Sequence, residues 1–378
     1  MSVLGLESGT VRVDPYSPKW PACFRREAER IHEAIAPLPL RIEHMGSTAV
    51  PGLPAKPIVD IAAGYPTGAA VGGYIEALVR AGYVHRGEQG IPGREFFRLG
   101  NPRAYHIHLA VEDGRFWREH LAFRDYLRAN PAARDAYGAL KLALAVRHPH
   151  DRETYIDAKG PFVLAVLTLA GHPRETSQGL EIVVEGPASL ADLARIPIAF
   201  QVDRVLVVDD RGGGGDVVLA ERSLDLPYVK DYDREPGNSP TDWAARLDLA
   251  NSGFIAAYSN GKRIGGAVIT FKTEGVTMLE GRTGLAVLWD IRVAPDARRR
   301  GVGGALFRTA QAWAISRGCR QLKIETQTIN VPAWRFYARQ GCTLGEVNRS
   351  AYPDFPNEVQ LIWYKNLVGG CEDAFKSV

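Results

Sequence analysis

The segment Arg298-Arg299-Arg300-Gly301-Val302-Gly303-Gly304-Ala305-Leu306 narrows the folds open to this chain more than any other stretch. It follows an apolar run, Val287-Leu288-Trp289-Asp290-Ile291-Arg292-Val293, and opens a long helical pattern. Strand, glycine-rich turn and helix start together make an anion site. The first N–H groups of a helix lack intrahelical partners and point outward, and the helix dipole favours negative charge there. Glycines bring the backbone close to phosphate oxygens because no Cβ intervenes. The spacing Arg-x-x-Gly-x-Gly matches neither the Gly-x-Gly-x-x-Gly of dinucleotide binding nor the Gly-x-x-x-x-Gly-Lys-Ser/Thr of the P-loop. The plainer alternative is a helix entered through glycines that binds nothing.

At 378 residues the chain exceeds one ordinary core, which predicts two domains. A net charge of +3, with no lysine run, gives no nucleic-acid footprint, so Arg298 to Arg300 read as a phosphate clamp. Cys23, Cys319, Cys342 and Cys371 lie far apart. That argues against a disulfide framework or zinc ribbon and fits the cytoplasm. The first residues have no basic leader or long apolar core, and the longest apolar run, 161–171, is too short for a bilayer.

Hydrophobic periodicity places a helix over Pro18–Leu38, strands at Arg41–His44 and Ile58–Ala63, a helix at Tyr74–Ala81, and strands at Phe96–Arg98 and Tyr105–Val111. Residues 117–169 are rich in helix formers. The polar stretch 172–180 reads as the linker between domains 1–171 and 181–378. In the second domain, Asp203–Asp210 alternates as a strand and Gly212–Gly215 forms a loop tip. Phe254–Tyr258 and Arg263–Phe271 flank Asn260-Gly261, a hairpin signal. A helix over 302–317 stops at Gly318, Leu322–Thr326 is a strand, Pro332–Gln340 a short helix, and Glu358–Tyr364 a last strand.

That order of elements resembles the GNAT acetyltransferases, in which the glycine turn holds the pyrophosphate of acetyl-CoA. Asn330-Val331-Pro332-Ala333-Trp334-Arg335-Phe336-Tyr337-Ala338-Arg339-Gln340-Gly341-Cys342 resembles the family's Asn-x-x-Ala-x-x-Phe-Tyr-x-x-x-Gly-Phe pattern, with Cys342 in place of Phe. The resemblance covers residues 180–367. It implies that Ile291, Arg292 and Val293 orient the thioester while Arg298, Arg299, Arg300, Gly301, Val302, Gly303, Gly304 and Ala305 grip the diphosphate. Asn330 bonds the pantetheine arm or merely caps a helix. An attacking amine must lose a proton, since an alkyl ammonium titrates near about 10.4. Asp290 and Glu325 are candidate acceptors; alternatively Asp290 pairs with an arginine. Tyr337 matches the family's proton donor, its alternative being a core aromatic.

A closer resemblance, to the streptothricin acetyltransferases, rests on Ile324-Glu325-Thr326-Gln327, Ala351-Tyr352-Pro353-Asp354-Phe355, Ile362-Trp363-Tyr364 and Pro227-Tyr228-Val229-Lys230-Asp231-Tyr232-Asp233. It implies a cationic antibiotic as amine substrate, a streptothricin or an aminoglycoside such as kasugamycin, held by Tyr228, Asp231, Asp233, Asp290, Glu325 and Tyr352. Acids outnumber bases about twofold between Glu181 and Glu235, which suits a polycation or else a solvated acidic loop.

The first half resembles the GrpB family through residues 41–61, Arg94-Glu95-Phe96-Phe97-Arg98, His106-Ile107-His108, Phe123-Arg124-Asp125-Tyr126-Leu127 and Ala158-Lys159-Gly160-Pro161-Phe162. That family has a nucleotidyltransferase-like fold, which implies a nucleotide with Mg²⁺ at Gly46, Ser47 and Asp60. Here the Asp-x-Asp metal pair is broken at Ala62, with Glu43 or Glu112 as conceivable substitutes. His106 and His108 share one side of a strand, an arrangement open to a metal or to ordinary hydrogen bonding. No metal is assigned.

The expectation is therefore an α/β (α+β) chain of two domains, a nucleotidyltransferase-like fold followed by a GNAT fold with a mixed central sheet. It acts as an acetyl-CoA-dependent N-acetyltransferase on a small cationic amine, as monomer or dimer, with no nucleic-acid or membrane partner. The alternatives are a protein or peptide N-acetyltransferase, a bifunctional enzyme that also transfers nucleotides, and a ligand-sensing module.

Overall fold

The computed structural model describes residues 4–7, 9–173, 179–209, 218–245 and 248–367. The loop tip read at Gly212–Gly215, Cys371 and most of the linker lie outside these residues. The chain divides into two compact units, Met1–His172 and Pro173–Val378.

In the first unit β1 (Arg41–Met45), β2 (Val59–Tyr65), β3 (Val84–His85), β4 (Arg94–Leu99) and β5 (Tyr105–Val111) form one sheet in the order β1-β2-β5-β4-β3. Only β2 and β5 run parallel. Around it stand α1 (Trp20–Ile35), α2 (Gly72–Arg80), α3 (Arg115–Ala129), α4 (Pro131–Arg147), α5 (Arg152–Asp157) and α6 (Gly160–Leu169). Alternation along the strands sorts two faces. Val59, Ile61, Ala63, Ile107 and Leu109 pack against Ile31 and Ile35 of α1 and Tyr74 and Leu78 of α2. Each such side chain contributes about 1.5–3 kcal/mol when buried. The opposite face packs Met45, Ala62 and Ala110 against Phe116 and Trp117 of α3. Asp60, His106 and His108 stand on that second face, where apolar cover is incomplete. Helix α1 is shorter than its periodicity suggests. It ends at Ile35 because Ala36, the residue before Pro37, is held in an extended conformation.

The second unit contains β6 (Leu180–Glu185), α7 (Leu190–Leu193), β7 (Phe200–Asp209), β8 (Val218–Lys230), α8 (Pro240–Trp243), β9 (Ser252–Ser259), β10 (Lys262–Thr270), β11 (Leu285–Val293), α9 (Val302–Ser316), β12 (Gln321–Gln327), α10 (Val331–Arg339), β13 (Thr343–Asn348) and β14 (Gln360–Asn366). Seven strands form a mixed sheet, β13-β14-β12-β11-β10-β9-β6, in which only β11 and β12 pair in parallel. The Asn260-Gly261 hairpin joins β9 and β10. Helix α9 buries Leu306, Phe307, Ala310, Trp313 and Ala314.

Strands β7 and β8 make a separate two-stranded ladder. Part of the acidic stretch between Glu181 and Glu235, which could read as a solvated loop, is therefore strand β8, while Asp231, Asp233 and Glu235 follow it in a turn. Its charges and Pro227 disguise a strand, and its register slips between Val202 and Arg204, where Val202 faces Tyr228 and Arg204 faces Ser223.

Candidate active site

Strands β11 and β12 are hydrogen-bonded from Leu285 and Gln321 to Leu288 and Ile324, and no further. Beyond that point they part, β11 running on along β10 to Val293 and β12 along β14 to Gln327. A bulge against β10 falls here: Val268 pairs Asp290 and Ile269 pairs Leu288, so Trp289 is the extra residue. The sheet thus splays open between Asp290, Ile291, Arg292 and Val293 on one side and Glu325 to Gln327 on the other. The edge of β11 from Trp289 to Val293 is left without a β12 partner.

At the base of the splay, Arg292 is held by two carboxylates. Its Nε and Nη2 donate to Asp290 Oδ1 and Oδ2 at 3.0 and 2.7 Å, and Nη1 and Nη2 donate to Asp233 at 2.8 and 3.1 Å. Burial opposes the guanidinium charge, but the two carboxylates outweigh it and raise the Arg292 pKa. Of the two roles open to Asp290 in the sequence, the structure displays arginine pairing. Asp233 is drawn into the same triad, so its charge is spent inside the protein. The Arg292 side chain is likewise committed, leaving only its backbone for a thioester.

Glu325 stands differently. The Tyr352 hydroxyl donates to its Oε1 at 2.5 Å, Gln327 Nε2 donates to the Tyr352 oxygen at 2.9 Å, and the Tyr232 hydroxyl donates to Gln327 Oε1 at 2.5 Å. Burial, and then neighbouring negative charge, pushes both tyrosine pKa values upward, so the phenols stay protonated donors. Glu325 Oε2 has no protein partner among the described residues.

The Asp231–Asp233 turn connects this chain to a cleft of about 790 Å³. Tyr228, Asp231, Glu235, Asp354, Phe355 and Glu358 are among its walls, with Lys230 and Arg234 as the cations. Lys230 is buried; it donates to Glu358 Oε1 at 2.9 Å and lies 3.9 Å from the Phe355 ring centre. Tyr228 is 43% exposed. Asp231 is partly consumed as the cap of its own turn.

The glycine turn precedes α9 as the spacing requires. Gly301 takes φ +83° at the N-cap, and no side chain caps this helix. A Cβ at Gly301 would meet open space, so backbone conformation, not crowding, demands glycine there. Val302, Gly303, Gly304 and Ala305 form the first turn. Arg299 is also left-handed at φ +63°, and alternating conformations of this kind turn backbone N–H groups toward an anion. The clamp reading needs one correction. The Arg298 side chain donates to Val293 O at 3.0 Å and toward Pro197 O and Ala199 O at 3.4 and 3.3 Å, so it staples the loop. Arg299 and Arg300 remain exposed. Helix α10 contrasts: Asn330 Oδ1 accepts from Ala333 N at 3.1 Å, an ordinary cap. Tyr337 is buried beside Phe307 and Phe336. Its hydroxyl has no partner among the described residues, and burial, aided by the Asp290 charge, raises its pKa.

In the first unit, Asp60 pairs with His106 across β2 and β5, and His108 lies two residues further along. Asp60 Oδ1 is 3.1 Å from His106 Nδ1 and 3.4 Å from His108 Nε2. These two hydrogen bonds overcome burial and hold the Asp60 carboxyl far below the usual range. Gly46, at φ +70°, is pressed against Asp60: a Cβ there would sit 2.6 Å from Oδ2. Ser47 begins the short turn that follows.

Family models match both halves, "GrpB protein" over residues 10–168 and "Acetyltransferase (GNAT) family" over 220–342. Glutamate-rich protein GrpB of Alkalihalophilus pseudofirmus is 36% identical over 171 residues, 44% of this chain and 98% of that protein. The chain belongs to the GrpB family. Its second domain is a GNAT acetyltransferase domain, an N-acetyltransferase. UPF0157 protein YqkA of Bacillus subtilis is 38% identical over 154 residues, 40% of this chain but only 45% of its own length. Streptothricin acetyltransferase A of Bacillus subtilis is 42% identical over 83 residues, 21% of this chain and 48% of that protein.

The sequence reading missed three things. In the GNAT domain it quoted Gln327 without seeing that it joins Tyr232 to Tyr352. It also passed over the Lys230–Glu358 pair, whose partners lie 128 residues apart. In the GrpB domain it passed over Lys56, Lys141 and Lys159. Lys56 and Lys159 both lie against the Tyr155 ring, at 4.3 and 4.4 Å, and Lys141 lies 4.8 Å from the Tyr137 centre. Lys56 and Lys159 each sat within a quoted motif, but nothing in the sequence joined them to each other or to Lys141. Of the second carboxylates considered, Glu43 stands opposite Ala62 but is bound to Arg124 at 2.9 Å and Arg41 at 3.3 Å, and Glu112 is bound to Arg41 at 3.3 Å.

Proposed function

We propose that the GNAT domain transfers the acetyl group of acetyl-CoA to a primary amine of a small cationic antibiotic, of the streptothricin or aminoglycoside type, and so gives resistance to it. The observation that carries this reading is that the turn beside an acidic, aromatic cleft is hydrogen-bonded to both sides of the splay, Asp233 to Arg292 of β11 and Tyr232 to Gln327 of β12. The coenzyme fits the strand splay and the uncapped α9 N-terminus, where the backbone of residues 301–305 would hold its diphosphate. When bound it supplies a reactive thioester. Glu325 Oε2 accepts the proton of the incoming ammonium, directly or through water, while Tyr352 fixes the carboxylate through Oε1. Tyr337 keeps its proton at neutral pH and gives it to the leaving sulfur. Asp290 acts by fixing Arg292 and hence the bulged edge of β11.

The cleft walls favour a cation. Tyr228 offers a ring face, Phe355 already carries Lys230 on one of its own, and the acids outnumber Lys230 and Arg234. A peptide substrate would replace that charge selectivity with backbone recognition. Nucleotidyl transfer by the GrpB domain is not favoured, since it lacks the two-carboxylate pair. Thiol release from acetyl-CoA, followed with a panel of streptothricin-type, aminoglycoside and peptide amines, tests the reading. Turnover confined to the antibiotics is expected, and equal turnover with peptides overturns it. Tyr337→Phe lowers kcat with acetyl-CoA affinity nearly unchanged; a collapse of affinity instead would assign that tyrosine to binding.

A further inference from the structure

The GrpB domain gathers one carboxylate and two imidazoles that acetyl transfer does not use. One ligand atom from each of Asp60, His106 and His108 lies within 4.8 Å of the other two. The carboxylate–imidazole separations are 3.1 and 3.4 Å. Ligands held about 2.0–2.2 Å from one ion at tetrahedral or octahedral angles stand roughly 3.0–3.5 Å apart, so the side chains already trace two edges of a coordination polyhedron. The hydrogen-bonded arrangement alone is incomplete. Both imidazoles crowd onto a single oxygen, Asp60 Oδ1.

The donor set disagrees with the magnesium that a nucleotidyltransferase-like fold implies. Magnesium takes octahedral oxygen ligands. Here Ala62 stands where a second aspartate belongs, and Glu43 and Glu112 are bound to arginines. Two neutral nitrogens and one oxygen suit a borderline transition ion.

We propose that Asp60, His106 and His108 bind a single divalent transition-metal ion of the zinc class, with a coordination position open to a phosphate-like anion. The surrounding charge calls for that anion. Lys56, Lys141 and Lys159 are all within electrostatic reach of Asp60, and none has a carboxylate partner among the described residues. A doubly charged ion on a single carboxylate adds one net positive charge to this group. Of the other groups facing the cluster, His44 and His120 are kept neutral by burial, with pKa values near 4. Arg94 Nη1 lies 3.4 Å from His108 Nδ1. Metal on His108 Nε2 leaves the proton on Nδ1, facing that guanidinium. The long contact is the one that yields, because Arg94 Nη2 keeps Glu88 O at 2.6 Å and Gln89 O at 3.2 Å.

The test uses the full chain after chelator treatment, titrated calorimetrically with Zn²⁺, Co²⁺ and Mg²⁺, with and without inorganic phosphate. One equivalent of Zn²⁺ binds at micromolar concentration or below, Co²⁺ develops visible absorption, and Mg²⁺ gives no heat in that range. Phosphate tightens Zn²⁺ binding by about 10-fold, roughly 1.4 kcal/mol, and this gain disappears in Lys56→Met with Lys159→Met. His106→Ala and His108→Ala each weaken Zn²⁺ by about 100-fold. His106→Asn, which keeps size and polarity, does the same with unchanged circular dichroism. His148→Ala with His150→Ala leaves binding intact. Preference for Mg²⁺, absence of any metal binding, or Zn²⁺ binding indifferent to His106 and His108 overturns the metal site. Phosphate without effect overturns its anionic co-ligand.

Discussion

In the GrpB domain, Lys56, Lys141 and Lys159 collect around Tyr155 and Tyr137 with no carboxylate partner among the described residues. In the GNAT domain, Asp231, Glu235, Asp354 and Glu358 line a cleft in which Lys230 and Arg234 are the cations. Both regions mix aromatic rings with charge, but the excess has opposite sign, so the two domains suit opposite ligands. Their placement differs as well. The GrpB cluster sits on continuous strands, where parallel register sets Asp60 beside His106. The GNAT candidates stand where pairing stops and the sheet opens. A chain with near-neutral net charge can thus carry two strongly charged sites, and the total of +3 conceals both.

Acid breaks the comparison most strongly. All nine histidines lie at or before His172. His44 and His120 are buried, with pKa values lowered by burial to about 4. Their folded values lie below the unfolded value, so the stability they contribute is complete above about pH 6.5 and is lost as pH falls toward 4. Each group forfeits about 3 kcal/mol by pH 4, from 1.36 kcal/mol per unit. The GrpB domain should therefore unfold first on acidification, as read by domain-resolved hydrogen exchange; simultaneous loss of both domains would refute this.

Glu325→Gln sharpens the other half of the contrast. It should lower kcat by about 10³-fold, the range of one general base, with little change in melting temperature. Asp290→Asn should do the reverse. Arg292, whose side chain is 1% exposed, loses one of its two counter-charges. The cost is about 3 kcal/mol of stability, read by thermal denaturation, while the pH dependence of turnover keeps its shape. A shifted profile would return Asp290 to the role of base. The smallest effect is in the GrpB domain. Burial, with Lys159 and the nearby arginines, lowers the Lys56 pKa to about 8, so its charge is held at a cost near neutrality. Lys56→Met should stabilise the domain by about 1 kcal/mol at pH 7, discounted for solvent screening, and lose this advantage as pH rises through 8 to 10.5.

Most strands were legible because alternation and glycine placement are local. The Asn260-Gly261 hairpin and the Gly301 turn are set by backbone preferences of one or two residues. Strand β8 was not legible, since its pairing with β7 rests on ladder hydrogen bonds beneath a polar surface broken by Pro227. At the candidate site, the residue types at Asp290, Glu325, Tyr337 and Tyr352 could be read. The partner of each could not, because Arg292 lies two residues from Asp290 yet 59 from Asp233.

Taken alone, the order of residues determined two domains, the glycine turn and the set of ionisable groups, which follow from periodicity, spacing and local conformational limits, while the two families were read from the resemblance of their motifs. Tertiary structure decided which carboxylate is neutralised and which keeps an open oxygen, whether Arg298 faces a ligand or its own loop, and that three lysines converge near Asp60. Those outcomes depend on long-range packing. A charge buried beside its opposite becomes scaffold, while the same charge at a gap in a sheet stays free to react.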